Sequence, residues 1–152
     1  MITGKIIKGA NLDQQFRGAI PNMESGVQKT VMELALKLTA NVKGEKLSGQ
    51  VLHVRTGNLR RSIHPEWDMR PNYAGAIVGT DEKYAAIHEY GGEIVPKDKP
   101  YLVFKIGDQW IRTKKVTMPE RSFLRSAIKE MAPEIRETLE KSVLRELKKI
   151  GK

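Results

Sequence analysis

Apolar side chains recur at steps of three and four in two separated stretches, and this constrains the fold more than any other feature. In the first stretch Val27, Val31, Leu34, Ala35, Leu38 and Val42 fall on one face of a helix predicted over about residues 23–42. Gln28, Lys29, Glu33 and Lys37 lie mostly elsewhere, and Glu33 with Lys37 makes a favourable pair one turn apart. The second stretch opens after Pro119 with Phe123, Leu124, Ala127, Ile128 and Met131. It resumes after Pro133 with Ile135, Leu139, Val143, Leu147 and Ile150. Proline suits only the first turn of a helix, so Pro133 predicts a restart or kink and hence a C-terminal helix pair. One-sided helices of this kind must bury their stripes against a sheet or another helix.

The middle of the chain reads as short β-segments punctuated by Gly and Pro. Residues 43–55 are polar, with Gly44 and Gly49, and lead through Val51-Leu52-His53-Val54. Thr56 or Asn58 caps a short helix that Gly57 enters tightly. Pro65 and Pro71 argue against a long regular element over 64–72. A strand follows at 74–79, then a short helix at 83–90 stopped by Gly91-Gly92, then a short piece at 93–95. Residues 101–106 have the best strand propensity, and Gly107-Asp108 turns them into 109–112 as a β-hairpin. Val116 extends that second arm or begins a third strand. Residues 1–20 read as an N-terminal arm or strand, with Asn11 or Asp13 as a cap and Pro21 as an interruption. The expected class is α+β: one domain over 1–152, with a small, mainly antiparallel sheet packed by the N-terminal amphipathic helix and the C-terminal helix pair.

Composition narrows the function. With 152 residues, 39% hydrophobic and 30% charged, the chain is expected to be a soluble globular protein. No apolar run approaches the roughly 20 residues of a membrane span, and no apolar stretch follows Lys5 and Lys8 as in a signal peptide. The absence of cysteine removes disulfides, thiolate metal sites and cysteine nucleophiles, and fits a reducing cytoplasm. Lys+Arg 27 against Asp+Glu 18 gives +9, which favours phosphates or acidic protein surfaces. The cations are scattered and mixed with Glu, apart from a short C-terminal cluster at Lys148, Lys149 and Lys152 that the helix dipole explains without a ligand.

Catalytic patterns are missing. The chain has no phosphate-binding Gly-rich motif and no nucleophile elbow. His53, His64 and His88 form no ligand pair, so a zinc site would need the fold to gather them with a carboxylate. Surface or half-buried histidines are the simpler reading. His88 and Glu89 are neighbours on a helix and point about 100° apart, so they do not share a face. Ser62 near His64 lacks an acidic orienter. No catalytic residue, metal or cofactor is therefore expected. Arg60-Arg61 suits a neighbouring subunit's carboxylates or a solvated face, and has no interleaved aromatics that would favour DNA.

Three segments in fixed order carry more than any one of them: T-G-N-L-R-R-S-I at 56–63, Y-A-A-I-H-E-Y-G-G at 84–92 and P-E-R-S-F-L-R-S-A at 119–127. Their order resembles a family of tailed-phage morphogenesis proteins, called head–tail joining, minor tail or tail-completion proteins. Members show T-G-x-L-R-x-S, then Y-A-x-x-x-E-[YF]-G, then P-x-R-P-[FW]-L followed by a small residue. The resemblance covers about residues 25–145, and K-P-Y-L-V-F-K-I-G-D-Q-W-I is similar to the strand region of related proteins. Ser122 departs from the pattern, standing where a proline would pre-set the backbone.

The resemblance implies a non-enzymatic virion protein at the head–tail junction that joins or completes the tail as an oligomeric ring with sixfold symmetry. Its implied partners are copies of itself and other neck and tail proteins, with no membrane, and with DNA contact allowed but not required. Its implied location is the virion, and the host cytoplasm during assembly. Thr56, Gly57, Leu59, Ile63, Tyr84, Tyr90, Gly91, Phe123 and Leu124 become framework residues, with both tyrosines packed inward. Arg60, Arg61, Glu89, Arg121 and Arg125 become candidates for an oligomer or partner interface. The alternatives are a tail terminator capping the tail tube, a basic nucleic-acid-binding module, and a histidine-dependent hydrolase or metal enzyme.

Overall fold

The computed structural model describes residues 10–49, 51, 57–71 and 73–150. The elements run in the order α1 (Ala10–Asn41), a π-helical turn (Val42–Lys46), α2 (Asn58–Ser62), β1 (His64–Arg70), β2 (Tyr73–Gly79), α3 (Ala85–Tyr90), β3 (Gly92–Ile94), β4 (Leu102–Ile106), β5 (Gln109–Thr113), β6 (Val116–Met118) and α4 (Leu124–Ile150). The class is α+β. The strands pair in twos: β1 with β2, β3 with β6, and β4 with β5. The last two pairs are antiparallel. The expected hairpin is β4–β5, and Val116 begins β6, which pairs with β3 rather than extending the hairpin.

Prolines account for most departures from expectation. Residues 10–20 are part of α1, which runs through Pro21; residues 1–9 lie outside the described residues. The expected C-terminal pair is one helix, α4, with Pro133 inside it. Proline's fixed φ is helical, so it removes one N–H and crowds one carbonyl without changing the helix hand. A helix already propagating and packed on both sides of the proline tolerates that loss. The buried Met131 and Ser142 flank Pro133 in this way. β1 contains Pro65 at its second position, where an irregular segment was expected. In a two-stranded sheet each strand is an edge, and an edge accepts a residue that cannot donate.

The chain forms two compact units. One comprises residues 1–37, 65–77 and 131–152, and the other residues 38–64 and 78–130. In the first, Leu34, Ala35 and Met131 are buried together with the polar Thr30, Ser142 and Glu146. The Thr30 and Ser142 hydroxyls meet at 2.8 Å, and Thr30 Oγ1 also donates to the Gly26 carbonyl at 3.1 Å. Glu146 lies over Gly26 so closely that a Cβ there would stand 2.6 Å from its carboxyl carbon. Lys149 donates to both Glu146 oxygens at 2.7 Å, satisfying the charge that this close packing buries.

In the second unit the core is Leu38, Val42, Leu47, Leu59, Ile63, Ala85, Phe123 and Ala127. Val42, Ile63 and Phe123 are fully buried, each worth about 1.5–3 kcal/mol of transfer from water. Gly57, at φ 73°, opens α2, and its carbonyl accepts from Arg61 N at 3.0 Å. That left-handed entry turns Leu59 inward while leaving Arg60 and Arg61 outside. Ser62 Oγ meets Thr80 Oγ1 at 2.6 Å, so α2 is tied to the end of β2 within the same unit.

Candidate functional site

The second and third motif segments meet at one carboxylate. α3 is too short to be stable alone, and it stops at Gly91, whose φ of 68° with ψ of −172° is essentially a glycine conformation. A Cβ on Gly91 would also come within 2.7 Å of Glu120 N. Arg121 N donates to the His88 carbonyl at 2.8 Å, and this fixes the strand of chain entering α4 beside α3. The N-terminus of α4 is thereby delivered onto Glu89.

A helix start leaves backbone N–H groups without partners and carries partial positive charge. Glu89, only 4% exposed, answers both needs from more than thirty residues away in sequence. Its Oε2 accepts from Phe123 N at 2.8 Å and Leu124 N at 2.9 Å. Its Oε1 accepts from Arg125 N and Arg125 Nε, both at 3.0 Å, and from Ser122 Oγ at 2.8 Å. Burial would raise the Glu89 pKa, but the N–H groups of Leu124, Arg125 and Phe123 and the Ser122 hydroxyl outweigh it and hold the carboxyl below the usual carboxylate range.

Arg125 closes the cluster from outside. Its Nη2 donates to the Glu89 carbonyl at 2.9 Å and to Glu120 Oε1 at 2.7 Å. Its guanidinium lies 4.5 Å from the centre of the Tyr90 ring. Ser122, the departure from the family pattern, works in both directions: it donates to Glu89 and accepts from Ser126 N at 3.2 Å. A proline here would have no hydroxyl for either bond. His88, a residue of α3, packs edge-on to Tyr84 at 5.9 Å. Burial first, and then the Arg121 charge, lower its pKa and favour the neutral ring.

The expected interface residues divide. Arg60, Arg61 and Arg121 are exposed, and Arg61 Nη2 donates to Asn58 Oδ1 at 2.6 Å. Arg125 is exposed but engaged with Glu89, Glu120 and Tyr90. Glu89 is not a surface group: its oxygens are spent on this chain's own donors, so it acts from inside. Among the framework residues, Leu59, Ile63 and Phe123 are buried and Leu124 is half-buried. Tyr84 and Tyr90 are exposed instead of packed, Tyr90 to 63%, because its ring serves as a platform for Arg125. Thr56 and His53 lie outside the described residues. The roles of Ser122 and Tyr90 were missed in sequence, although an aromatic beside Glu89 and an Arg just inside a helix start were both visible there.

His64 Nδ1 lies 2.8 Å from the Ser62 carbonyl, and its Nε2 is 3.9 Å from Asp81. Among the described residues no group of His, Asp and Glu is arranged to hold a metal ion. Among the described residues no helix is long and apolar enough to cross a membrane. The site is a junction of charge-assisted hydrogen bonds around Glu89, with an aromatic–arginine face outside it. The model of one protein family, described as the phage virion morphogenesis family, matches residues 34–148, which include all three motif segments. No curated protein and no solved structure matches the chain.

Proposed function

The chain belongs to the phage virion morphogenesis family and is a phage assembly protein, and from that premise we propose that it acts at the head–tail junction, joining or completing the tail as a homo-oligomeric ring. The role is structural and needs no catalysis. The observation that supports it most is the Glu89 cap. It binds two separate motif segments into one rigid block, and such a block holds neighbouring surface groups in fixed geometry for contact. Arg60, Arg61 and Arg121, all exposed, and the Tyr90–Arg125 face are the proposed contacts with a neighbouring copy or an adjoining neck or tail protein. Tyr and Arg are the residue types that dominate such interfaces.

Cryo-electron microscopy of the assembled particle tests this directly. The expected result is a ring of this chain at the junction, sixfold in symmetry, with Arg60, Arg61 and Arg121 at subunit contacts. A junction that lacks the chain would overturn the proposal. Native mass spectrometry of the purified chain supplies the second readout, with R60E/R61E expected to weaken self-association while leaving the fold intact.

A further inference from the structure

The β4–β5 hairpin takes no part in the cap, and one of its faces has a distinct chemistry. The antiparallel register sets Val103 opposite Arg112 and Lys105 opposite Trp110, so these four side chains share one face. All four are exposed, Trp110 to 73% and Val103 to 61%. The run from Lys105 to Trp110 is exposed without a break, so the turn at Gly107-Asp108 projects from its unit. Residues 97–115 hold Lys97, Lys99, Lys105, Arg112, Lys114 and Lys115 against Asp98 and Asp108, six cations less two acids, or +4 of the chain's +9.

Little of this charge is used internally. Lys115 donates to Glu93 at 2.7 Å, and Lys105 lies 3.3 Å from the fully exposed Asp108. Arg112 stacks 3.8 Å over the Tyr101 ring, which fixes the guanidinium while leaving its N–H edge available. Lys97, Lys99 and Lys114 have no carboxylate partner among the described residues. Lysine is depleted in protein–protein interfaces, so unpaired lysines around an exposed tryptophan suit a polyanion better. Proteins hold single strands in grooves, whereas this is a projecting ribbon. The major groove of a duplex admits a two-stranded β-ribbon.

The geometry points to the β4–β5 hairpin as a sequence-independent contact to double-stranded DNA. Lys105 and Arg112 meet phosphates across the ribbon, Lys97, Lys99 and Lys114 flank it, and Trp110 and Val103 lie against the groove wall. This goes beyond ring formation and does not depend on it, because binding and self-association are read separately.

Fluorescence anisotropy of the full chain with a labelled random duplex of about 20 base pairs tests it. Five phosphate contacts imply a log–log salt slope of about −4.5, a loss of about 500-fold between about 50 and 200 mM salt. K105E/R112E should flatten the slope to about −2.7 and weaken binding at least about tenfold. The charge-matched K129E/K148E on α4 should stay within about twofold of the parent if location rather than net charge decides. K105Q/R112Q, which places no acid on the ribbon, should flatten the slope equally, and W110A should lower affinity at unchanged slope. Equal losses in the hairpin and α4 variants would overturn the proposal in favour of bulk charge. Tighter binding to single-stranded DNA of the same length, or to poly-glutamate, would overturn it in favour of those ligands. Salt-independent or absent duplex binding would also overturn it.

Discussion

Replacing Glu89 by Ala removes the acceptor of three backbone N–H groups at the start of α4, together with the charge that Arg125 faces. Phe123 is fully buried, so its N–H has no easy route to water. A buried donor left unsatisfied costs about 1–3 kcal/mol. Loss of a helix cap costs about 0.5–2 kcal/mol. These overlap, and about 3–5 kcal/mol is expected for E89A, in line with removing one partner of a buried charged pair. That is a large share of a typical net stability of about 5–15 kcal/mol. E89Q keeps the shape and one acceptor oxygen, and about 1–3 kcal/mol is expected. Urea unfolding followed by circular dichroism reads the difference. With a slope of about 2 kcal/mol per molar, the E89A midpoint should fall by about 1.5–2.5 M. E120Q, which loses only the exposed pair with Arg125, should cost no more than about 1 kcal/mol.

The pH dependence supplies a second readout. Glu89 has its folded pKa held below the ordinary carboxylate value of 4.5, so its contribution is present above about pH 4.5 and is lost as pH falls through the folded pKa. The parent should therefore lose stability more steeply than E89Q below that value. His88, also with a lowered folded pKa, acts in a separate window: its contribution is present above the ordinary histidine value of 6.5 and is lost as pH falls from there through the lowered folded pKa. An E89A variant within about 1 kcal/mol of the parent, or an E89Q variant with the parent's acid slope, would refute the cap as the organising interaction.

Five further substitutions test the packing, each by the same unfolding assay. G26A should destabilise by about 1–2 kcal/mol, since the new methyl displaces the buried Glu146 carboxyl, whereas G18A in the same helix meets nothing within 4 Å and should stabilise by about 0.5–1 kcal/mol. G91A should destabilise by at least about 2 kcal/mol, because a positive φ and a backbone clash with Glu120 act together. T30V and S142A should couple by about 1 kcal/mol in a double-mutant cycle, reporting the hydroxyl contact between α1 and α4.

Periodicity made the helices legible and turn chemistry made the β4–β5 hairpin legible. Both are local signals, and each extends over enough residues to outweigh a single exception. The failures are single residues whose effect depends on what surrounds them. Pro21 and Pro133 argue for a break in isolation, yet both lie inside helices, and Pro133 is flanked by the buried Met131 and Ser142. Pro65 argues against a strand only where a neighbour needs its N–H, and β1 has one partner. Tyr90 looked like core because aromatic residues usually are. Its ring lies outside, where the guanidinium of Arg125, drawn to Glu89, rests over it.

Glu89 is the instructive case, because a signal for its role was present in the sequence. The first turn of α4 has no acid of its own and carries Arg125 at its second position, the wrong sign for the positive end of a helix. A start of that kind is stable only if an anion arrives from elsewhere in the chain. The three motif segments offer one carboxylate near a chain reversal, at Glu89 just before Gly91-Gly92. The motif spacing follows from this requirement. A glutamate ends a short helix, two glycines turn the chain, a β-excursion of about two dozen residues leaves and returns, and an arginine-bearing helix start lands on the carboxylate. The two ends of the excursion meet at the cap, and between them it carries the projecting hairpin. The junction at Glu89 thus sets where the ribbon is held out, and the exposed side chains of the ribbon set what it can touch.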